Sequence, residues 1–94
     1  MEFLVHIELF GVPLGDQGQQ LFDHEKERSK ELAAAGILKR LWRIPGRRAN
    51  WGIWHAGNMD ELHDAFASLP LFPYMTITVH PLASHPNDPR LPLI

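Results

Sequence analysis

Hydrophobic and polar positions alternate from the start of the chain. Phe3, Val5, Ile7 and Leu9 interleave with Glu2, Leu4, His6 and Glu8. That period of two predicts a strand with unlike faces over residues 2–10. Gly11-Val12-Pro13-Leu14-Gly15 ends it. Asp16, with Gln19 three residues on, has the form of a capping box and predicts a helix to about Ala35, with Gly36 in the left-handed position after it. Residues 37–45 predict a second strand, Gly46-Arg47-Arg48 a turn, and residues 49–56 a third strand rich in aromatics. Asn58, with Glu61 three residues on, caps a second helix. Met59, Leu62, Ala65, Phe66 and Leu69 recur along it at three and four residues, and Pro70 stops it. Leu71-Phe72-Pro73 is expected to be extended, since a proline biases its predecessor away from helix. Tyr74 to Leu82 reads as the last strand, with Met75, Ile77 and Val79 on one side and Thr76, Thr78 and His80 on the other.

The order β-α-β-β-α-β predicts an α+β fold, a four-stranded antiparallel sheet with both helices on one face, the ferredoxin-like arrangement. The other face, carrying Leu4, His6, Tyr74 and Thr76, is too apolar to leave in water. It is expected to be buried against another copy, as in a dimeric α+β barrel. The whole chain, 1–94, is expected to be a single domain, with a core over 1–82 and an arm over 83–94. The arm holds Pro86, Pro89 and Pro92 just after Pro81, so it forms neither helix nor central strand. It is either a disordered end or, the preferred reading, a strap that lays Leu91, Leu93 and Ile94 on a neighbouring copy.

Composition narrows the chemistry. The absence of cysteine removes disulfides, thiolate metal sites and a cysteine nucleophile. Nine basic residues against eleven acidic ones give no field for a nucleic-acid backbone. No apolar run is long enough to span a membrane, and the N-terminus lacks the basic start and apolar stretch of a signal peptide, so the cytoplasm is the expected compartment.

The first helix carries a residue that looks out of place. At about 100° per residue, with Leu21 at zero, Leu32 falls near ~20°, Glu25 near ~40°, Ser29 near ~80°, Phe22 near ~100° and Ala33 near ~120°. Glu25 therefore lies within the apolar arc. Glu27 falls near ~240°, among solvated charges, and Lys26 near ~140°, at the rim of the arc. A poorly solvated carboxylate has a raised pKa and can serve as a general base. The alternative is a carboxylate paired with Lys39, Arg40 or Arg43 and without chemistry.

Other candidates are less pointed. The six histidines show no pair at helical metal spacing, although His6, His55 and His80 could meet on the sheet. Ser29, Ser68 and Ser84 lack the context of a nucleophile elbow, and no phosphate-cradling glycine loop is present. Arg40, Arg43, Arg47 and Arg48 are either a solvated strand edge or a site for an organic carboxylate. Trp42, Trp51 and Trp54 either wall a flat ligand pocket or pack in a core or interface.

Several short motifs have a family likeness. Leu41-Trp42-Arg43-Ile44-x-Gly46 followed by Ala49-Asn50, Leu62-His63-Asp64, and above all Leu69-Pro70-Leu71-Phe72-Pro73-Tyr74-Met75 resemble the muconolactone delta-isomerases. Glu25-Lys26-Glu27 matches the family's Glu-Lys-Glu, and His85-Pro86 resembles its tail, so the likeness runs from about residue 3 to 86. The resemblance implies a ferredoxin-like subunit of a homo-oligomer, a decamer in the family, with active sites between subunits. It implies an intramolecular isomerase of the β-ketoadipate route of aromatic-compound breakdown, converting the small lactone muconolactone to 3-oxoadipate enol-lactone without metal or organic cofactor. On this resemblance Glu25 is the base and Lys26 its partner. Arg43 or Arg40 holds the acetate arm of the substrate, Asn50 donates to the lactone, and Tyr74 belongs to the substrate site. His24, Leu38, Arg40, Arg47, Arg48 and Trp51 depart from the family's usual residues, as does the Pro-Asn-Asp-Pro-Arg tail. These departures bear on the substrate. They leave room for a dehalogenase of chloromuconolactone on the same scaffold, or for an oligomer that binds small ligands without turning them over. A cofactor-free oxygenase of the dimeric α+β-barrel type is a further reading.

Overall fold

The alternation at the N-terminus becomes β1, Glu2–Leu9, which places Phe3, Val5 and Ile7 in the core and leaves Leu4, His6 and Glu8 half-buried on the other face. In the computed structural model, which describes residues 1–90, β1 is followed by α1 (Gly15–Ala34), β2 (Leu38–Arg43), β3 (Ala49–His55), α2 (Met59–Ala67), a short 3-10 turn (Phe72–Tyr74) and β4 (Met75–Leu82). The strands lie in the order β2-β3-β1-β4, every neighbouring pair antiparallel. This is the expected α+β, ferredoxin-like topology. The expected contacts of Leu91, Leu93 and Ile94 lie outside the described residues.

Register sorts the two faces, because directly paired residues share a side. The Phe3–Trp54–Leu38 and Val5–Gly52–Leu41 rows face the helices, and His6–Trp51–Trp42 face away. A bulge between Leu38 and Arg40 reverses the parity of β2, so Leu38, Leu41 and Arg43 share the helix side while Arg40 and Trp42 turn to the open side. Gly52 makes room on the helix side. A Cβ there would stand 2.9 Å from both Leu41 Cδ2 and Trp54 Nε1.

The core joins β1 and Trp54 to Leu32 of α1, to Leu62, Ala65 and Phe66 of α2, and to Leu69. Trp54 meets Phe66 edge to face at 4.9 Å. Each of the large side chains buried here contributes about 1.5–3 kcal/mol by leaving water. Met75, Ile77 and Val79 pack against this cluster from the edge strand β4, while Thr76, Thr78 and His80 are exposed, the sidedness expected from their alternation.

Three local expectations are corrected. Helix α1 begins at Gly15 rather than at an Asp16 cap; its N-cap, Leu14, makes no side-chain cap bond, and Gln19 donates to Asp23 instead. The segment Leu71–Pro73 is not extended. The Phe72 N–H donates to Leu69 O and the Tyr74 N–H to Leu71 O, closing a 3-10 turn in which Pro73 occupies a place that needs no N–H. Tyr74 consequently ends that turn, and β4 begins one residue later than expected, at Met75. By contrast, Asn58 caps α2 as expected, accepting the Glu61 N–H at 2.9 Å, while the Glu61 carboxylate reaches back to the Gly57 N–H at 2.8 Å. Gly36 takes φ 78° after α1, where a side chain would be strained.

Candidate active site

The inward stripe of α1 is Gly18, Leu21, Glu25, Arg28, Ser29 and Leu32. Gly18 sets the approach of the helix: a Cβ there would lie 1.9 Å from Pro13 O. Phe22 and Ala33, at the far edge of the expected arc, are exposed, so Glu25 sits near the centre of the buried stripe. Its half-buried carboxylate accepts the Leu71 backbone N–H at 3.0 Å through Oε1. Arg28, one turn on, donates to Ser68 Oγ at 3.0 Å and pairs with Glu31. These two contacts fasten α1 to the connection between α2 and β4.

None of the ion pairs among the described residues involves Glu25, so the expected alternative of a partner at Lys39, Arg40 or Arg43 is not what holds it. Burial raises its pKa above the ordinary 4.5 by disfavouring the charged form, and the Leu71 N–H opposes part of that rise. Glu27, two residues on, is exposed and pairs with Lys30 at 3.7 Å.

Beside this helix, at the end of the sheet where β1 leaves and β3 enters, lies an open cavity of about 560 Å³. That is within the usual range of roughly 300–1,000 Å³ for small-ligand sites. Leu9, Phe22 and Leu41 give it apolar walls, and Trp42 borders it at the sheet edge. Its polar groups are Arg43, Arg47, Arg48 and Asn50. Arg43 and Asn50 are direct cross-strand partners on the helix side. Asn50 Oδ1 is buried and has no hydrogen-bond partner among the described residues. Because the two ends of an amide have nearly the same shape, that position can present an N–H as well as a carbonyl. Arg47 is already neutralised: Nε donates to Glu8 Oε2 at 3.1 Å, and a second guanidinium nitrogen bonds Oε1.

The site residues expected from sequence do not all converge. Arg43 and Asn50 line the cavity. Glu25 stands one helical turn from the lining residue Phe22, and the exposed Lys26 follows Phe22 by four residues on the same side of α1. Arg40 is not among the lining residues; its guanidinium lies 4.5 Å from the centroid of Trp42, on the side to which the bulge turns it. Tyr74 is half-buried, with its carbonyl accepting the Phe10 N–H at 2.8 Å, and is also outside the lining. Leu9, Phe22, Leu41 and the clamp from Glu8 were not legible as site residues, because only sheet register brings them to one end.

The tryptophans separate by role. Trp42 borders the cavity, Trp54 is core, and Trp51 stands between His6 and His80 on the open face, with ring centroids 4.9 and 6.2 Å away. Among the described residues, no group of three His, Asp or Glu is placed to hold a metal ion. A second groove of about 320 Å³ between α2 and β4 is lined by apolar side chains and by His63.

Comparison with known proteins bears on this arrangement. The family model described as muconolactone delta-isomerase matches residues 1–88. The muconolactone delta-isomerase of Cupriavidus pinatubonensis is 42% identical over 74 residues, covering 79% of this chain and 80% of that protein. That of Rhodococcus opacus is 44% identical over 64 residues, covering 68% and 69%. A crystal structure of muconolactone isomerase superposes with a TM-score of 0.83 at 37% identity, covering 94% of both chains.

Proposed function

The chain belongs to the muconolactone delta-isomerase family, and from that premise we propose that it isomerises muconolactone to 3-oxoadipate enol-lactone with Glu25 as the proton carrier. It is an intramolecular isomerase acting on a small lactone. The observation that carries the assignment of the base is the half-buried Glu25 carboxylate, in no ion pair among the described residues and one helical turn from Phe22, which lines an arginine-bearing cavity.

The chemistry asks for little more. The ring carbon that bears the acetate arm holds a hydrogen acidified through the conjugated lactone carbonyl. Glu25 takes it as a proton, and the electron pair shifts along the ring to the carbonyl oxygen, giving a dienolate. The protonated carboxyl then returns the proton to the carbon beside the carbonyl. One C–H bond breaks, another forms, and the double bond moves without net oxidation. A raised carboxylate pKa suits both halves of this exchange. The Leu71 N–H fixes one oxygen, leaving Oε2 to carry the proton. Asn50 and Arg43 are suited to stabilise the developing oxyanion, and Lys26 to add positive charge at the cavity rim.

The open sheet face supports association. Leu4, Ile53 and Trp51 lie on it without a covering layer, and we assign its cover to a second copy of the chain, as one step of a larger homo-oligomer. No helix among the described residues is long and apolar enough to cross a membrane. The cytoplasm is the compartment assigned to this chemistry.

The test is the ultraviolet change on adding muconolactone to the purified protein, run beside Glu25→Gln. Turnover by the wild type and its loss in the variant are expected. No turnover by the wild type refutes the activity. A Glu25→Gln rate within a few-fold of wild type refutes the base.

A further inference from the structure

Three guanidiniums line the cavity, and they are not equivalent. Arg47 is bound through two of its nitrogens to Glu8, whose side chain is only 17% exposed, so its charge is already matched by a carboxylate of the same chain. Arg43 and Arg48 form no ion pair among the described residues. Two unneutralised cations face a reaction whose substrate carries one carboxylate and whose intermediate adds one oxyanion.

The two positions differ in what surrounds them. Arg43 is paired across the strands with Asn50, so two donor groups stand together. Converging donors suit a carbonyl oxygen that becomes negative only during reaction. Arg48 has no such neutral companion. Its guanidinium lies over the Phe22 ring, 6.0 Å from the centroid, and its backbone carbonyl accepts the Leu9 N–H at 2.9 Å. At 6.0 Å the ring only borders the guanidinium, which makes no ion pair among the described residues, so its N–H groups stay free, and an anchored backbone reduces the freedom lost on binding. That arrangement suits a permanent, planar carboxylate taken in a fork. The substrate's geometry asks for this division: the acetate arm and the carbonyl leave opposite ends of a five-membered ring, so one cation cannot serve both.

We infer that Arg48 is the residue that selects a carboxylate-bearing lactone, while Arg43 and Asn50 serve the lactone carbonyl. The inference rests on the isomerase reading above and concerns specificity within it.

Binding of an unreactive ligand separates the two. The probes are the saturated γ-lactone with the acetate arm and its methyl ester, followed by calorimetry or by the fluorescence of Trp42 at the cavity edge. The wild type is expected to prefer the acid by about 10- to 100-fold, the worth of one charged hydrogen-bonded pair. Arg48→Gln should lose most of that preference by weakening the acid alone, with the melting temperature of the wild type, and Arg48→Lys should restore part of it. Arg43→Gln should weaken acid and ester alike. A wild type that binds neither probe, or both equally, overturns the inference. So does an Arg48→Gln protein that keeps the preference, or an Arg43→Gln protein that loses it. None of these readings requires turnover, so a failure of the isomerase assay is distinguishable from a failure of Arg48.

Discussion

The Glu25 carboxylate on α1 accepts the backbone N–H of Leu71, 46 residues further along the chain, at 3.0 Å. Leu71 leads into the turn before β4, and β4 begins opposite the end of β1, where the cavity lies. One bond thus supports the turn and fixes the rotamer of the proposed base. Glutamine keeps the carbonyl acceptor for Leu71 but cannot take a proton from carbon. Glu25→Gln is therefore expected to lower kcat by about 10²–10⁴-fold, the usual worth of a positioned general base, with a smaller effect on KM. Steady-state rates on muconolactone decide it; a rise in KM with kcat unchanged points to a binding role.

The raised pKa of Glu25 gives opposite pH trends for activity and stability. The base works when deprotonated, so kcat/KM should rise with pH through a midpoint above 4.5, and Glu25→Gln should lack that limb. For stability, the unfolded chain releases this proton near 4.5 and the folded chain only at higher pH. Between those values the folded state binds more protons, so stability falls as pH rises. The contribution of Glu25 is complete below 4.5 and is lost as pH passes through the folded value. Denaturation curves should show Glu25→Gln gaining on the wild type as pH increases through this window. A constant difference across it contradicts the assigned cause, desolvation of the charged form.

How far the sequence reached depends on how local each signal was. Asn58 and Glu61 announce their helix start because the cap is settled within four residues. Glu25 was legible because the 3.6-residue period places it among Leu21 and Leu32. Arg40 and Arg43, three residues apart, take opposite faces by alternation alone, but which of them faces the helices was not legible, since the bulge between Leu38 and Arg40 resets the parity of β2 and leaves no mark in the sequence. The 3-10 turn at Phe72 was missed because the proline rule for Phe72 yielded to the bonds that the Phe72 and Tyr74 N–H groups donate to the Leu69 and Leu71 carbonyls. The Glu8–Arg47 clamp joins residues 39 apart and is visible only once β1 and the β2–β3 hairpin are assembled.

Gly18 is a packing requirement rather than a flexible joint. A Cβ at this position would fall 1.9 Å from the Pro13 carbonyl oxygen, a backbone atom that cannot rotate away. Gly18→Ala must push α1 off the loop before it, against the usual gain of alanine in a helix. The expected cost is about 1–3 kcal/mol, with activity reduced because Glu25 rides on the same helix. Urea unfolding together with the turnover assay checks both; equal or greater stability contradicts the close approach.

The two helix starts make a paired prediction. Asn58 caps α2 with its side chain, and the Glu61 carboxylate completes the reciprocal bond to the Gly57 N–H. Asp16 lies inside the first turn of α1 and acts there only through its charge near the helix N-terminus. Asn58→Ala therefore strands an orphan N–H and should cost about 1 kcal/mol. Asp16→Ala should cost a few tenths of that at most in high salt, because a dipole interaction at an exposed turn is screened. Unfolding of both variants at low and high ionic strength distinguishes these cases: the Asn58 effect should persist in salt and the Asp16 effect should fade. If Asp16→Ala costs as much as Asn58→Ala and the loss survives salt, Asp16 is a side-chain cap after all and α1 begins two residues later, at Gln17.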